Sequence, residues 1–152
     1  MAKTTTNPFT QTIRNPAATL VNADSFIAAN GGTSPTNIKE LLTAGSEGSI
    51  IKSLIIASDD SSARTVSFYL STNGGTTDYL LFSVPVAANS GVNGTTINVD
   101  VLSNVFVQGL QIDQSGRPII ALAANAKIFI GVITAAVTAG RTLHVVASVE
   151  DF

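Results

Sequence analysis

The sequence predicts a single all-β domain: an antiparallel β-sandwich, jelly-roll-like, with an extended N-terminal arm. Short apolar runs recur at intervals of roughly 8–12 residues between clusters of Gly, Asn, Asp and Ser, a spacing typical of sandwiches and barrels. Helical periodicity is nearly absent, and the 152-residue length suits one domain with a sizeable core. We therefore assign residues 1–16 to the arm and residues 17–152 to the sandwich.

The arm is predicted from the polar, proline-broken stretch at the start of the chain. Pro8 and Pro16 interrupt it, and Phe9 and Ile13 are its apolar anchors. Fully extended, this stretch reaches on the order of 50 Å. We expect it to cross onto a neighbouring subunit, where Phe9 and Ile13 enter pockets; a frayed tail is the alternative.

The strands are predicted in order from the apolar runs that follow the arm. The candidates are 19–28, 38–43, 49–57, 64–71, 79–86, 96–102, 105–112, 118–123, 127–135 and 142–149. A single helical turn is the alternative for the second of them. About eight to ten strands favour a jelly roll among the antiparallel architectures.

Turn residues indicate how successive strands connect. The Asn73-Gly74-Gly75 turn accepts positive φ values, so the strands on either side of it are predicted to pair antiparallel. Asp113 to Gly116 supplies the same chemistry for a second hairpin. Ala139-Gly140 joins the last two strands and predicts a third.

Alternation assigns a buried and a solvent face to two strands. The predicted solvent faces hold Thr65, Ser67 and Tyr69 on one strand, and Thr142, His144 and Ser148 on the other. The strand that contains Ile128, Ile130 and Val132 is instead apolar on both faces, although a two-layer sandwich buries only one face of each sheet. We expect another subunit to cover this strand; a loop or the arm is the alternative.

The composition favours a protein that packs against neighbours. Charged residues make up 12% of the chain, about half of the roughly 25% in average globular proteins, so repulsion between copies is weak. We therefore expect a homo-oligomer, with a plain Thr-rich β domain as the alternative. Eight Lys and Arg against ten Asp and Glu leave no basic footprint for direct nucleic-acid binding.

The start of the chain lacks the apolar region of a signal peptide, and no stretch approaches the ~18 apolar residues of a membrane-spanning helix. The sequence thus predicts synthesis in a cytoplasm, without export and without a membrane partner.

The inventory of reactive side chains predicts no enzyme, no cofactor and no metal site. Cysteine is absent and His144 is the only histidine, so a typical zinc site and a Ser-His-Asp triad both lack parts. Asp59 and Asp60 could join other oxygens around a hard cation such as calcium, but Asp59 to Ser62 is interpreted first as a polar turn. Asn93-Gly94-Thr95 is likewise interpreted as a turn.

Four features together resemble a group of small virion proteins of tailed bacteriophages. They are the Asn- and Pro-containing arm, the stretch 42–54, the strand and Asn-Gly-Gly-Thr turn of 68–76, and the closing strand 143–149. The resemblance covers most of residues 17–152. It implies a capsid decoration or cement protein that binds the major capsid protein or other virion proteins, made in the host cytoplasm and located in the virion. A neck, tail or fibre component is the alternative.

A carbohydrate-binding module is a competing function, because jelly rolls often bind sugars through exposed aromatic side chains. Tryptophan is absent, and only Tyr69 and Tyr79 are available for such stacking.

Overall fold

The computed structural model describes residues 12–27, 37–72 and 78–152. The described residues form strands joined by turns and one 3-10 turn, Asn22–Asp24. The strands are β1 (Thr12–Arg14), β2 (Ala17–Leu20), β3 (Ser25–Ile27), β4 (Lys39–Thr43), β5 (Ser49–Ser58), β6 (Arg64–Ser71), β7 (Asp78–Val86), β8 (Val99–Asp100), β9 (Gln111–Ile112), β10 (Pro118–Leu122), β11 (Lys127–Ile133) and β12 (Leu143–Asp151).

The strands form two sheets. The first sheet has the order β1-β12-β5-β10-β9, with β2 also paired to β12 and β8 also paired to β5. The second sheet has the order β3-β11-β6-β7, with β4 also paired to β11. All of these pairs are antiparallel except β3 with β11, which is parallel.

The main antiparallel pairs are nested along the chain. β1 and β2 pair with β12, β4 with β11, β5 with β10, and β6 with β7. One long antiparallel ribbon wound over two sheets produces this order, which is the jelly-roll arrangement. The predicted antiparallel β-sandwich is confirmed.

The hydrophobic core lies between the two sheets. Its largest fully buried apolar side chains come from both sheets, and Phe68 packs on Phe82 with ring centroids 5.1 Å apart. The other large members are Leu20, Ile51, Leu54, Ile56, Val66, Val84, Val86, Ile128, Ile130 and Leu143. Because these side chains alternate along their strands with outward-facing residues, each sheet contributes one face to the core.

The local predictions for the connections have different outcomes. The predicted antiparallel pairing of β6 with β7 and of β9 with β10 is confirmed, while the Asn73-Gly74-Gly75 turn lies outside the described residues. The predicted third hairpin at Ala139-Gly140 is wrong, because β11 and β12 belong to different sheets and the segment between them crosses the sandwich. Val137, in the middle of that crossing, is buried in the core. The helical alternative near residue 38 is also wrong, since β4 pairs with β11.

The predicted faces of β12 are confirmed, with Val145 buried and His144 exposed. The predicted solvent face of β6 is wrong, because Ser67 and Tyr69 are both buried. The Ser67 hydroxyl is 2.6 Å from Ser83 Oγ, so this buried polar group has its hydrogen-bond partner within the protein.

Candidate partner-binding surface

An apolar groove of about 620 Å³ lies beside β8. It is bounded by the end of β7 and by the chain segments before and after β8. Its apolar wall consists of Pro85, Ala87, Val99 and three further side chains that are largely exposed. Those three are Ile97, Val105 and Phe106, which are 84%, 77% and 63% exposed. Exposed apolar surface that is rimmed by polar residues is typical of protein–protein or membrane contacts and of ligand-binding grooves.

A tight turn anchored on both sides displays Val105 and Phe106. Leu102 before the turn and Val107 after it are buried in the core. The Phe106 backbone N–H donates to Asn104 Oδ1 at 3.0 Å, and the Val107 N–H donates to the Asn104 carbonyl at 2.9 Å. The turn is thus fixed by its own hydrogen bonds, and its two apolar side chains are held outward.

A second turn displays Ile97 on the other side of the groove. Asn93 Oδ1 accepts hydrogen bonds from the backbone N–H groups of Thr95 and Thr96, at 2.9 and 2.8 Å. The Gly91 N–H donates to the Thr96 carbonyl at 2.8 Å. The interpretation of Asn93-Gly94-Thr95 as a turn is therefore confirmed.

The lining of the groove suits binding better than catalysis. Asp100 is its only charged lining residue, and the other polar linings are Ser, Thr and Asn side chains. Moving one Ile, Val or Phe side chain out of water contributes roughly 1.5–3 kcal/mol. The groove can therefore supply the apolar centre of a contact with a polar rim around it.

The residues predicted to contact partners lie in three different places. Ile128, Ile130 and Val132 are at most 1% exposed and pack inside the sandwich, so their assignment to a partner contact is corrected: they are core residues. Ile13 on β1 is 67% exposed and lies outside the core. Phe9 lies outside the described residues.

The sequence does not reveal the groove, because its displayed side chains Ile97, Val105 and Phe106 all fall in predicted strands. Residues 96–102 and 105–112 alternate like strands, yet only β8 and β9 form there. Asn104, which directly precedes Val105-Phe106, was the one available signal of a turn. The sequence of an apolar pair beside a turn residue does not show whether the pair is exposed or buried.

Asp60 has a structural role. It is fully buried, and its carboxylate accepts hydrogen bonds from Arg64 Nε, the Thr138 N–H, Thr138 Oγ1 and the Ser62 N–H at 2.7–3.0 Å. Burial alone would raise the pKa of Asp60, but these donors outweigh it and hold that pKa well below its usual range. The interpretation of Asp59 to Ser62 as a turn linking two strands is confirmed, and Asp59 Oδ1 accepts from the Thr142 N–H.

The remaining candidates for chemistry stay isolated. His144 lies within hydrogen-bond distance of the Thr19 and Thr142 hydroxyls, at 2.9 and 3.2 Å, and of no carboxylate among the described residues. Within ranges 12–27, 37–72 and 78–152, no three His, Cys, Asp or Glu side chains cluster as metal ligands. Tyr69 is 2% exposed and cannot stack on a sugar, which leaves Tyr79 as the exposed tyrosine.

Comparisons of the chain with protein-family models, with curated proteins and with solved structures found no match. In the part of the chain that the structure describes, no helix is long and apolar enough to cross a membrane.

Proposed function

We propose that this chain is a noncatalytic structural subunit of a virus particle, a capsid decoration or cement protein that binds the shell and stabilises it through subunit contacts. The observation that carries the proposal is the groove whose apolar wall holds Ile97, Val105 and Phe106 in the solvent on hydrogen-bonded turns. Exposed apolar side chains do not stabilise an isolated domain. A subunit that docks onto other proteins is instead stabilised when these side chains are buried in the contact.

The surface next to the groove is also suited to contact. Tyr79, Leu80 and Leu81 of β7 are exposed, and the same strand leads to Pro85 in the groove wall. These exposed apolar side chains lie on the same edge strand of the second sheet as Pro85. An extended surface is needed, because specific interfaces bury roughly 800 Å² on each partner.

The virion setting rests on the resemblance of segments 42–54 and 68–76 to small proteins of bacteriophage particles. The jelly-roll sandwich is compatible with that setting, and the low charge density of the chain suits a subunit packed among neighbours. A neck, tail or fibre position in the particle remains the alternative location.

The test is co-sedimentation of the purified protein with capsid shells assembled from the major capsid protein. We expect the wild-type chain to bind the shells and Phe106→Ser to weaken binding about 10- to 100-fold, because one Phe side chain is worth roughly 1.5–3 kcal/mol when buried. Ile112→Ser is the matched control, since Ile112 is similarly exposed but lies outside the groove.

Absence of wild-type binding to shells, together with binding to purified tail or neck complexes, would move the proposal to the alternative location. Absence of binding to any particle component would overturn it. Equal weakening by Phe106→Ser and Ile112→Ser would show that the groove is not the contact.

A further inference from the structure

We propose that the groove receives residues 1–11 of a second copy of this chain, with Phe9 as the side chain that enters it. The inference rests on the proposed function, because it takes the groove as a protein-contact surface. It adds the identity of the occupant, which links copies of the chain head to tail.

The direction of β1 indicates that the occupant comes from another copy. Thr12 pairs with Asp151, and Asp151 pairs with Ser49 at the first residue of β5. β1 therefore begins at this end of the first sheet, where residues 1–11 join it. Asp100 in the groove pairs instead with Ile55, six residues along β5, which is about 20 Å toward the opposite end at ~3.3 Å per residue.

The groove and β1 also lie toward opposite edges of the first sheet. β12 and β5 separate β1 from β8, which carries Asp100. To enter its own groove, the segment before Thr12 would have to reverse direction and cross both strands. A neighbour placed beyond the Asp151 end of the sheet can offer its groove without such a reversal.

The composition of residues 1–11 suits the groove. Phe9 is the only aromatic residue in this segment, and the preceding Pro8 restricts the backbone there. A restricted backbone loses less conformational entropy when it binds. Phe9 is three residues before Thr12, a reach of about 10 Å at ~3.3–3.6 Å per residue, so the two copies must abut directly.

Residues 1–11 and the groove carry opposite charges. Lys3 is the only charged side chain in residues 1–11, and Asp100 is the only charged side chain among the residues that line the groove. Asp100 is exposed and forms no ion pair with any of the described residues. The full extended segment reaches about 36–40 Å from Thr12, so Lys3 can extend past the site of Phe9 toward Asp100.

Each copy would donate one segment and receive another. Such a contact is heterologous, since it joins two different surfaces, and it closes into a ring when the rotation between neighbours divides a full turn. Exposed Ile97 and Phe106 would then be covered by the neighbouring copy, so Phe106→Ser would weaken binding to the shell by weakening the assembly that docks on it.

Disulfide trapping tests the inference cleanly because the chain contains no cysteine. Phe9→Cys in one preparation and Ile97→Cys in a second, size-tagged preparation are mixed under mild oxidation and resolved on a non-reducing gel. We expect the mixed disulfide to form at least about tenfold faster than with the control Ile112→Cys, which is exposed outside the groove. Equal rates for the two cysteine positions would overturn the inference, and so would a Phe9→Cys, Ile97→Cys double variant that cross-links only within one chain.

A charge exchange provides the second measurement. Lys3→Glu and Asp100→Lys are each expected to weaken self-association in sedimentation velocity at low salt by roughly two- to fivefold, the effect of one exposed ion pair. Combining both substitutions in one chain should restore association, and a combined variant weaker than either single one would contradict the proposed pairing. Binding to capsid shells without Phe9–Ile97 trapping would refute this inference alone, while trapping without binding to any particle component would refute only the virion role.

Discussion

The buried carboxylate of Asp60 accepts a hydrogen bond from Arg64 Nε at 2.7 Å. Asp60 lies in the connection from β5 to β6, and Thr138, which also donates to this carboxylate, lies in the connection from β11 to β12. Both connections pass from one sheet to the other. One carboxylate therefore ties together the two crossings at this end of the sandwich.

Replacing Asp60 should destabilise the fold strongly. Asp60→Ala leaves the Arg64 guanidinium, which is 10% exposed, without its carboxylate, and loss of one partner of a buried pair costs about 3–5 kcal/mol. Glu40→Ala is the control, because its ion pair with Lys127 is more exposed and is worth up to about 1 kcal/mol. Urea unfolding of both variants measures the difference, and similar midpoints would contradict the role given to Asp60.

Acid should remove the contribution of Asp60 in a defined window. Its pKa in the folded protein lies well below its usual range, whereas an unfolded Asp titrates near ~3.9. The unfolded chain therefore takes up the proton first as pH falls, so the stabilisation is complete above about pH 5 and is lost as pH falls through ~4 toward the folded pKa. The pKa of Asp151 is lowered as well, first by the hydrogen bond from Arg14, and adds to the same trend.

Urea unfolding at pH 7, 5, 4 and 3 measures this dependence. We expect the free energy of unfolding to change little between pH 7 and 5 and to fall below about pH 4. Asp60→Asn should show a shallower fall. An identical fall in the wild type and in Asp60→Asn would contradict the assignment.

The core position of β11 predicts opposite outcomes for two isoleucines. Ile130 is fully buried, so Ile130→Ala should cost about 2–5 kcal/mol. Ile13 is mostly exposed, so Ile13→Ala should change stability by less than about 0.5 kcal/mol. The urea midpoints of the two variants measure these stability changes. An Ile130→Ala variant as stable as Ile13→Ala would contradict the core position of β11.

Two glycines with positive φ should differ in their tolerance of alanine. Gly48 has φ +109°, and a Cβ there would lie 2.8 Å from the Leu122 carbonyl oxygen. Gly94 has φ +70°, with nothing within 4 Å of its would-be Cβ. Gly94→Ala should cost about 1 kcal/mol for the backbone alone, and Gly48→Ala about 2–3 kcal/mol because the backbone must also move. Thermal unfolding measures the stability of the two variants. Equal losses of stability would contradict the close contact between residue 48 and the Leu122 carbonyl oxygen.

Local signals in the sequence were sufficient for many strands. β6 has the bounds predicted for it, and β7 and β10 differ by a single residue at one end, because alternation and turn residues act over a few positions. Which sheet a strand joins depends on distant partners instead. Ala139-Gly140 has the composition of a hairpin turn, yet Val137 inserts into the core and directs the chain across the sandwich.

The candidate surface was less predictable than the fold. Val105 and Phe106 have the apolar pattern of a strand, and only their flanking partners Leu102 and Val107 reach the core. Ile128, Ile130 and Val132 were predicted to contact a partner but are buried, because their strand lies between β4 and β6 inside the second sheet. Hydrophobicity alone does not reveal whether the folded chain surrounds a residue.

The place of β12 in the first sheet governs when that sheet can form. β12 lies between β5 on one side and β1 and β2 on the other, and the bond between Arg14 and Asp151 spans 137 positions of sequence. During translation, no sheet of this order can close until residues 143–151 have left the ribosome. Nascent chains that stop earlier keep the apolar edge of β5 unpaired, which exposes them to aggregation, and the completed chain folds through long-range contacts that slow its folding.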